Sequence, residues 1–439
     1  MNAINAIRVR ILLFLALIVL GACSRVEGGV PNILFIMADD LGIGDLSSHG
    51  ANDMRTPHID RLMASGCRFS NAYANCPVCS PTRAAFLTGR YPDMVGVPGV
   101  IRTHRVNNWG YLSAEATTLP QVLKPAGYHT ALIGKWHLGL VEPNTPMGRG
   151  FDDFKGFLGD MMDDYYNHRR HGVNYMRKGR KMIAPEGHAT DLFSDWAAAY
   201  IKERAGQESP FFLFLSYNAP HTPFHAPPSN MHSQGNLPTY NNGLDPIPYY
   251  MAAIEAMDFQ IGRLLDDIPE DERNNTIIIF IGDNGTPNQV AQNPYSSSTV
   301  KNTLYQGGVN VPMFISGNSV SRSGTDNNLI TSTDLFATIA EITGSSTNEI
   351  HDSKSFKSLF SESKNIREYQ YSELVNGADD EWTISNGTYK LIANAVGMEE
   401  MYNLVNDPYE NSNLLNGPLS TIEQNAKSEL EAELTNIRN

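Results

Sequence analysis

The sequence predicts an α/β fold: a large mixed, mostly parallel β-sheet flanked by helices, with a smaller antiparallel C-terminal subdomain. Continuous apolar runs are typical of strands buried on both faces, and helical stretches lie between these runs. This alternation favours a doubly wound sheet. Polar residues directly follow the apolar runs. Because ligands of such sheets bind beyond the carboxyl ends of the strands, the sequence also predicts where a functional site lies.

The predicted sheet depends on four runs that show no alternation of polar and apolar residues. These runs are residues 32–37, 130–134, 211–217 and 276–282. Helices are predicted at 57–65 and 248–267, between the runs. We therefore expect a main α/β domain at residues 31–345.

Beyond residue 345 the pattern changes to short stretches in which polar and apolar residues alternate. These stretches are residues 368–375, 382–385 and 389–392. Asn386-Gly387 is typical of a two-residue hairpin turn, and a polar helix is predicted from Ser420. We expect residues 346–439 to form a C-terminal α+β subdomain that packs on the main domain.

The N-terminal segment has the pattern of a secretory signal. Arg8 and Arg10 precede an apolar run that is too short to span a bilayer as a permanent helix. The run ends in LGAC, which resembles the bacterial lipobox and predicts lipidation of Cys23. We therefore predict a lipoprotein signal peptide at 1–22, a tether at 23–30 and an exported bacterial lipoprotein, anchored to a membrane at the periplasm or cell surface. A plain signal peptide with a chance cysteine is the alternative.

Charge and cysteine content restrict the remaining classes of function. The 439-residue chain has a formal net charge of −14, which argues against general nucleic-acid binding. It has four cysteines, and lipidation of Cys23 leaves three, an odd number for an oxidising compartment. A disulfide between Cys67 and Cys76 would leave Cys79 alone, and the sequence does not decide this pairing.

Two pairs of oxygen-bearing residues follow two of the predicted strands. Asp39 and Asp40 end the first run, and Asp283 and Asn284 follow the last. Each pair alone is typical of a turn. Found together at strand ends, they favour a site for a hard cation, Ca²⁺ or Mg²⁺, and not zinc, which prefers nitrogen and sulfur ligands.

Several cationic and imidazole side chains are expected near the same edge of the sheet. They are Arg83, Lys135, His137, His221 and Lys301. A lone histidine or lysine in a loop is usually solvated. As a group beside a cation, these residues could hold a tetrahedral oxyanion and move protons.

The stretch CSPTRAAFLTGR at residues 79–90 resembles the sulfatase signature Cys-x-Pro-x-Arg…Thr-Gly-Arg. Residues 127–139, 56–62 and 401–410 also resemble segments of that family. The resemblance extends from about Pro31 to Leu415. On these motifs the chain is identified as a member of the type I, formylglycine-dependent sulfatases of the alkaline-phosphatase-like superfamily.

This resemblance implies that a maturation enzyme oxidises Cys79 to formylglycine, whose aldehyde hydrates to a geminal diol. A serine that attacked sulfur would form a sulfate ester about as inert as the substrate. A diol can form an ester on one hydroxyl and expel sulfate by collapse of the second. The thiol of Cys79 itself would then never act.

The resemblance also assigns roles by position. It implies one Ca²⁺, with Mg²⁺ as an option, held by Asp39, Asp40, Asp283, Asn284 and the formylglycine oxygen at position 79. Arg83 would stabilise the nucleophile, and Lys135 and Lys301 would bind sulfate oxygens. His221 would bind substrate and protonate the leaving alcohol. His137 would take the proton from the hemiacetal hydroxyl.

A basic stretch suggests the substrate class. It contains Arg169, Arg170, Arg177, Lys178, Arg180 and Lys181, and a second basic spot contains Arg102, His104 and Arg105. Both could be solvated loops. As subsites they would bind a sulfated poly- or oligosaccharide, and we favour an algal polymer of the ulvan or carrageenan type over a glycosaminoglycan.

Two other functions remain open at this point. A phosphonate or phosphodiester hydrolase of the same superfamily can also use formylglycine. A non-catalytic, glycan-binding pseudo-sulfatase would never be matured, but it would have no use for His137 and His221 together.

Overall fold

The computed structural model describes residues 30–51, 53–104, 108, 110–346, 351–375 and 380–438. The predicted signal peptide, Cys23 and Arg105 lie outside these residues, so export and lipidation stay predictions. Within the described ranges, none of the helices has the length and apolar character needed to span a membrane.

The described chain contains sixteen strands and nine α-helices. The strands are β1 (Asn32–Asp39), β2 (Cys67–Tyr73), β3 (His129–Lys135), β4 (Asp153–Phe157), β5 (Arg169–Arg170), β6 (Val173–Asn174), β7 (Met176–Lys178), β8 (Lys181–Met182), β9 (Phe211–Pro220), β10 (Thr276–Gly282), β11 (Met313–Gly317), β12 (Gly324–Thr331), β13 (Gln370–Leu374), β14 (Glu381–Ser385), β15 (Tyr389–Asn394) and β16 (Glu399–Asn403). The helices are α1 (Pro57–Ala64), α2 (Cys79–Thr88), α3 (Leu119–Leu123), α4 (Ala189–Arg204), α5 (Ile247–Asp267), α6 (Glu270–Asn274), α7 (Gln306–Val309), α8 (Asp334–Thr343) and α9 (Thr421–Arg438).

The large sheet has ten strands in the spatial order β12-β2-β11-β10-β1-β9-β3-β4-β7-β8. The central strands β10, β1, β9, β3 and β4 are parallel, and antiparallel pairs lie toward both edges. Phe35 at the middle of β1 lies opposite Ile279 of β10 and Phe214 of β9. The predicted fold class is confirmed, and the four predicted strands are β1, β3, β9 and β10.

Strand β1 shows why its sequence is continuously apolar. Successive side chains of a strand point to opposite faces of the sheet. Phe35 therefore packs in a layer with α2, α3 and α8, whereas Ile36 packs in the opposite layer with α1, α4 and α5. Both side chains are fully buried, and burial of such a side chain contributes roughly 1.5–3 kcal/mol.

The C-terminal sheet is antiparallel in the order β13-β14-β15-β16. Gly387 has a φ of +84°, as the predicted turn between β14 and β15 requires. Helix α9 packs on this sheet through Ala426, Leu430 and Leu434, which lie on one helical face. The proposed boundary at residue 345 stays a prediction, and Phe356 belongs to the core of the large sheet.

The three described cysteines are all buried and free, so the structure lacks the disulfide between Cys67 and Cys76 that the cysteine count allowed. Cys67 packs in the core of the large sheet at the start of β2. Cys76 packs in a separate cluster with residues of the C-terminal subdomain. Their packing in separate clusters explains why they do not pair.

Gly134 in β3 allows a close approach to β9 that any side chain would block. A Cβ at this position would lie 1.9 Å from the carbonyl oxygen of Ser216, and φ is +107°. We predict that Gly134→Ala lowers the free energy of unfolding by about 2–4 kcal/mol, through steric overlap added to backbone strain. Urea denaturation monitored by circular dichroism measures this loss.

Gly127 supplies the matched control, because its φ is +87° but a Cβ there would meet nothing within 4 Å. Gly127→Ala should cost only about 1–2 kcal/mol, the strain of a left-handed residue. Equal losses in the two variants would show that the contact with Ser216 is not what selects glycine at position 134.

Candidate active site

Four adjacent parallel strands deliver polar residues to one edge of the sheet. Strand β1 ends at Asp39, β10 is followed by Asp283, β3 ends at Lys135, and β9 is followed by His221. Because these strands are neighbours in the order β10-β1-β9-β3, their carboxyl ends meet. The shared edge that the sequence predicted is therefore present.

Asp40 leaves β1 in an unusual conformation, with a φ of +67°. Its N–H donates to Oδ1 of Asp283 at 2.9 Å, and its carbonyl accepts from the Tyr250 hydroxyl at 2.7 Å. A non-glycine residue in this region costs about 1–3 kcal/mol and persists only where neighbours enforce it. In this conformation Oδ1 of Asp40 lies 3.6 Å from Sγ of Cys79.

Helix α2 brings the motif cysteine and arginine to the same place. Cys79 is its first residue, and Arg83 follows four positions later, on the same helical face. Both side chains are buried. Thr82 donates to the carbonyl of Cys76 at 2.8 Å, and Ser80 accepts from the N–H of Ile101 at 3.0 Å, so the first turn is fixed to the surrounding loops.

Arg83 is fully buried and contacts several strand ends. Its guanidinium donates to Oδ2 of Asp283 through Nε at 3.1 Å and Nη2 at 2.7 Å. Nη1 donates to the Ser216 hydroxyl at 2.7 Å, and Nη2 lies 3.5 Å from Oδ1 of Asp39. Lys135 completes the network, with its ammonium 2.5 Å from Oδ2 of Asp39.

Asp283 depends on this arginine for its charge. Burial and the neighbouring Asp39 raise the pKa of Asp283 to about 7, against the opposing effect of Arg83. A buried carboxylate is costly unless it is paired and hydrogen-bonded. Arg83 thus favours the ionised form of Asp283.

Lys301 reaches the same point from the loop after β10. Its ammonium lies 2.6 Å from the Asp40 carboxylate and 3.9 Å from Sγ of Cys79. Burial alone would lower the pKa of Lys301, but Asp40, Cys79 and Asp39 together outweigh burial and raise that pKa. Burial would likewise raise the pKa of Asp40, but His221 and Lys301 hold it below its ordinary value.

The buried charges of the site balance. The three cations are Arg83, Lys135 and Lys301, and the three anions are Asp39, Asp40 and Asp283. With all six ionised, their sum is zero. A bound divalent cation would therefore leave surplus positive charge, which favours an anionic ligand.

His137 presents an unprotonated ring nitrogen. Its Nε2 lies 2.6 Å from the carbonyl of Ile101, which fixes the proton on Nε2. Its Nδ1 is buried and has no partner among the described residues. Burial, Lys135 and Arg83 lower the pKa of His137 well below its usual value, so Nδ1 carries a lone pair at neutral pH.

His221 has the opposite arrangement of nitrogens. Its Nδ1 donates to the carbonyl of Thr222 at 2.7 Å, and its Nε2 lies 3.6 Å from Oδ2 of Asp40. Burial lowers the pKa of His221 to about 3, with Asp40 opposing and Lys301 adding to this effect. An anionic group beside Nε2 would raise this pKa and favour the protonated ring.

Cys79 is not an activated thiol. Its Sγ lies 3.6 Å from Oδ1 of Asp40. Burial raises the pKa of the thiol well above its ordinary value, and Asp39 adds to this effect. Because thiolates and not thiols are nucleophiles, an unmodified cysteine here is inert.

The donor set fits a hard cation. Two buried oxygens without a hydrogen-bond partner among the described residues are Oδ1 of Asp39 and Oδ1 of Asn284. Ligand atoms of Asp39, Asp40, Cys79 and His221 all lie within 4.8 Å of one another. Carboxylate and amide oxygens with an unsatisfied lone pair suit Ca²⁺ or Mg²⁺.

Asp283 is one of the predicted metal ligands, but its carboxylate is already engaged in hydrogen bonds. Both of its carboxylate oxygens already accept hydrogen bonds, Oδ1 from Asp40 and Oδ2 from Arg83. Carboxylate oxygens have more than one lone pair, so these contacts are compatible with a metal ligand. The assignment of Asp283 as a ligand stays a prediction.

Two tyrosines support the site, although the sequence analysis did not identify them. Tyr165 donates to the backbone carbonyls around His221, and Tyr250 contacts Asp40 and Asp45. Each comes from a segment distant in sequence from the residue that it supports. Single tyrosines without a local motif gave no signal.

The basic stretch divides into two parts. The near part is Arg169 and Arg170 together with the adjoining spot around Arg102 and His104, and the far part is Arg177, Lys178, Arg180 and Lys181. In the near part, Arg170 donates to Asp160 and Asp163 at 3.1 Å each, and the ring of His171 lies 5.3 Å from that of His104. Thr103 also donates to Asp160, at 3.2 Å. This part is therefore continuous with the segment whose Ile101 carbonyl contacts His137.

The far part lies at the edge of the sheet. Lys178 and Lys181 are paired in β7 and β8, and β8 is the last strand in the order. Arg180 forms an ion pair with Glu142 at 3.0 Å, and Arg177 donates to the carbonyls of Asn174 and Met176. The six basic residues thus do not form one surface.

Comparison with known proteins adds two family matches. Residues 31–345 match the sulfatase family. Residues 299–439 match the C-terminal region of N-sulphoglucosamine sulphohydrolase. Together these matches span the described chain.

Similar proteins include characterised sulfatases. The N-acetylgalactosamine-6-sulfatase of Canis lupus familiaris is 33% identical over 328 residues, which cover 69% of this chain and 60% of that protein. The arylsulfatase of Hemicentrotus pulcherrimus is 29% identical, with 76% and 62% covered. The matched region is thus about three fifths of the length of each of these two relatives.

The fold is similar to the crystal structure of Ps i-CgsB in complex with k-i-k-neocarrahexaose, with a TM-score of 0.81, 26% identity and 92% coverage of both chains.

Proposed function

Because the chain belongs to the sulfatase family, we propose that it is a sulfuric ester hydrolase that removes sulfate from a sulfated carbohydrate. The observation that carries this proposal is the buried cluster around Cys79. It combines three balanced ion pairs with His221, whose Nε2 lies 3.6 Å from Asp40, and with His137, whose buried Nδ1 has no partner among the described residues. Such a cluster can hold an anion and move protons on two sides of it.

The cationic residues bind and orient the sulfate group. Lys135 and Lys301 are placed to bind its oxygens, and Arg83 to stabilise the nucleophile. In the ligand-free protein the two lysines contact Asp39 and Asp40. Asp39, Asp40, Asp283 and Asn284 would hold a Ca²⁺, whose charge would polarise the sulfate. With Asp39 and Asp40 bound to this cation, the ammonium groups of Lys135 and Lys301 would be free to contact the ester.

The histidines hold and move protons at defined atoms. A formylglycine hydrate at position 79 would supply one hydroxyl as the nucleophile. Loss of the proton from its second hydroxyl would re-form the aldehyde and release sulfate. His221 donates a proton from Nε2 to the leaving oxygen, while its Nδ1 stays bonded to Thr222. His137 accepts a proton at Nδ1, because Nε2 is committed to Ile101.

We propose an algal polysaccharide or its oligosaccharides, of the ulvan or carrageenan type, as the substrate. The similarity to Ps i-CgsB, whose structure contains a neocarrahexaose, supports the carrageenan type. The near part of the basic stretch, beside Ile101, would bind neighbouring sulfates. An exported lipoprotein with Cys23 lipidated would meet such a polymer outside the cytoplasm.

The phosphonate or phosphodiester hydrolase is the second candidate, because it could use the same cluster. A matched panel of three 4-nitrophenyl esters, the sulfate, the phosphate and the phenylphosphonate, separates the two functions. We expect the sulfate ester to have the highest kcat/KM. Preference for a phosphorus ester would contradict the proposal.

Maturation of Cys79 is tested by mass and by turnover together. Active protein should have lost H₂S and gained one oxygen at position 79, as peptide mass spectrometry measures.

Cys79→Ala should abolish multiple turnover and keep the fold, because no second hydroxyl remains. Cys67→Ala, at a buried free thiol in the core of the sheet, should keep turnover. Multiple turnover by Cys79→Ala would exclude this mechanism.

Calcium binding is tested without activity, through thermal stability. Ca²⁺ at 100 times its dissociation constant should stabilise the EDTA-treated protein by about 2.7 kcal/mol. Asp39→Asn should lose this Ca²⁺-dependent gain. Asp45→Asn should keep it, because Asp45 is engaged by Gly42, Tyr250 and Thr286. Stoichiometric zinc in the purified protein, or an equal gain in both variants, would contradict the assignment.

Substrate binding by the near part is tested with charge-matched double variants. Arg102→Gln with Arg169→Gln should raise KM for a sulfated oligosaccharide by about fivefold or more, because each exposed charge contact contributes up to about 1 kcal/mol. The effect should be larger at low salt. Lys178→Gln with Lys181→Gln, at the far edge, should leave KM unchanged. If the two double variants behave alike, the near part is only a solvated surface.

A further inference from the structure

A short turn at the end of β9 carries His221. The N–H of His221 donates to the carbonyl of Asn218 at 2.9 Å and closes the turn. The hydroxyl of Tyr165 lies 2.6 Å from that same carbonyl and 2.7 Å from the carbonyl of His221. One buried hydroxyl therefore contacts both ends of the turn.

The hydroxyl of Tyr165 acts only as a donor in these contacts, because both partners are carbonyl oxygens. Burial raises the pKa of Tyr165 well above its ordinary value, so the phenol keeps its proton. The carbonyl of Asn218 also accepts from His221. Loss of the hydroxyl would remove this donor from the His221 carbonyl, whereas the Asn218 carbonyl would keep its hydrogen bond from the N–H of His221.

The ring of Tyr165 is itself fixed. It stacks on His225 at 4.1 Å and 22°, and on His188 at 5.5 Å and 23°. Nε2 of His188 and Nε2 of His225 are 2.8 Å apart, so the two imidazoles share a hydrogen bond. The carbonyl of Tyr165 accepts from the N–H of Ala189 at the start of α4, at 2.8 Å. The tyrosine is therefore tied to the helix layer.

The same stack also holds the chain beyond His221. His225 contacts the carbonyl of Pro223 through Nδ1 at 3.0 Å, and the ring of His221 contacts the carbonyl of Thr222 through Nδ1 at 2.7 Å. The backbone is thus fixed on both sides of His221. These contacts determine where Nε2 of His221 points.

From this arrangement we infer that Tyr165 is a positioning residue for His221, which aims Nε2 at the leaving oxygen of the ester. The inference rests on the proposed role of His221 as proton donor. Tyr165 itself touches no reacting atom. Proton transfer depends steeply on distance and angle, and a displacement of about 1 Å can cost roughly 100-fold in rate.

The experiment compares two aryl sulfates that differ in leaving group. Phenolate needs a proton as it departs, whereas 4-nitrophenolate leaves readily without one. Tyr165→Phe keeps the stacked ring and removes the hydroxyl. We expect kcat for phenyl sulfate to fall roughly ten- to a hundredfold, with little change in KM and a much smaller loss for 4-nitrophenyl sulfate.

Tyr217→Phe is the matched control. Tyr217 is fully buried on β9, and its hydroxyl lies 2.7 Å from that of Ser194 in α4, with neither turn carbonyl as its partner. Tyr217→Phe removes one buried hydroxyl, as Tyr165→Phe does, and should lower Tm by a similar amount. It should not change the ratio of kcat for phenyl sulfate to kcat for 4-nitrophenyl sulfate. If Tyr165→Phe lowers kcat for both esters equally, as a merely structural change would, the inference is wrong.

His221→Ala, measured in parallel, separates the inference from the function on which it rests. Selective loss on phenyl sulfate in both His221→Ala and Tyr165→Phe supports the inference. Selective loss in His221→Ala alone overturns the inference and leaves the proton-donor role intact. Absence of selectivity in His221→Ala overturns that role, and the positioning role with it.

Discussion

The Arg83 guanidinium, fully buried in the first turns of α2, contacts the ends of four strands at once, including Asp39 of β1 at 3.5 Å. It donates to Asp283 after β10, to Ser216 near the end of β9 and to the carbonyl of Lys135 at the end of β3, the last at 3.4 Å. In a low-dielectric interior an unpaired charge is strongly destabilising, so every member of this network requires its partners. The position of Cys79, one helical turn before Arg83, follows from the same contacts.

The balance of the buried charges connects this network to function. An acidic protein can accept an anion only where the local charge is favourable, and the site reaches neutrality with three ammonium or guanidinium groups against three carboxylates. A divalent cation, if bound at the unsatisfied oxygens of Asp39 and Asn284 as proposed, would shift that balance toward positive charge. Burial and the neighbouring cations favour the neutral form of both histidines, and under the proposal His221 becomes protonated only when an anionic ligand lies beside its Nε2.

Sequence reasoning predicted much of this arrangement, because the central strands and their terminal residues carry strong local signals. Continuous apolar runs predicted β1, β3, β9 and β10, and the polar residues after them lie at one edge of the sheet, as expected. The strands β2 and β12 were missed, because polar residues such as Asn71 and Asp326 interrupt their apolar pattern. Tyr165 and the division of the basic stretch depend on contacts between distant segments, which no local pattern encodes.

A double-mutant cycle between Arg83 and Asp283, read by the free energy of unfolding of EDTA-treated protein, tests the dependence of the structure on this pair most directly. Arg83→Met alone should destabilise by about 3–5 kcal/mol, because it leaves the Asp283 carboxylate buried without its partner. The double variant Arg83→Met with Asp283→Leu should lose less than the sum of the single variants, with a coupling energy of about 1–3 kcal/mol. Losses that simply add would show that the pair is independent and would contradict its central place in the fold and the site.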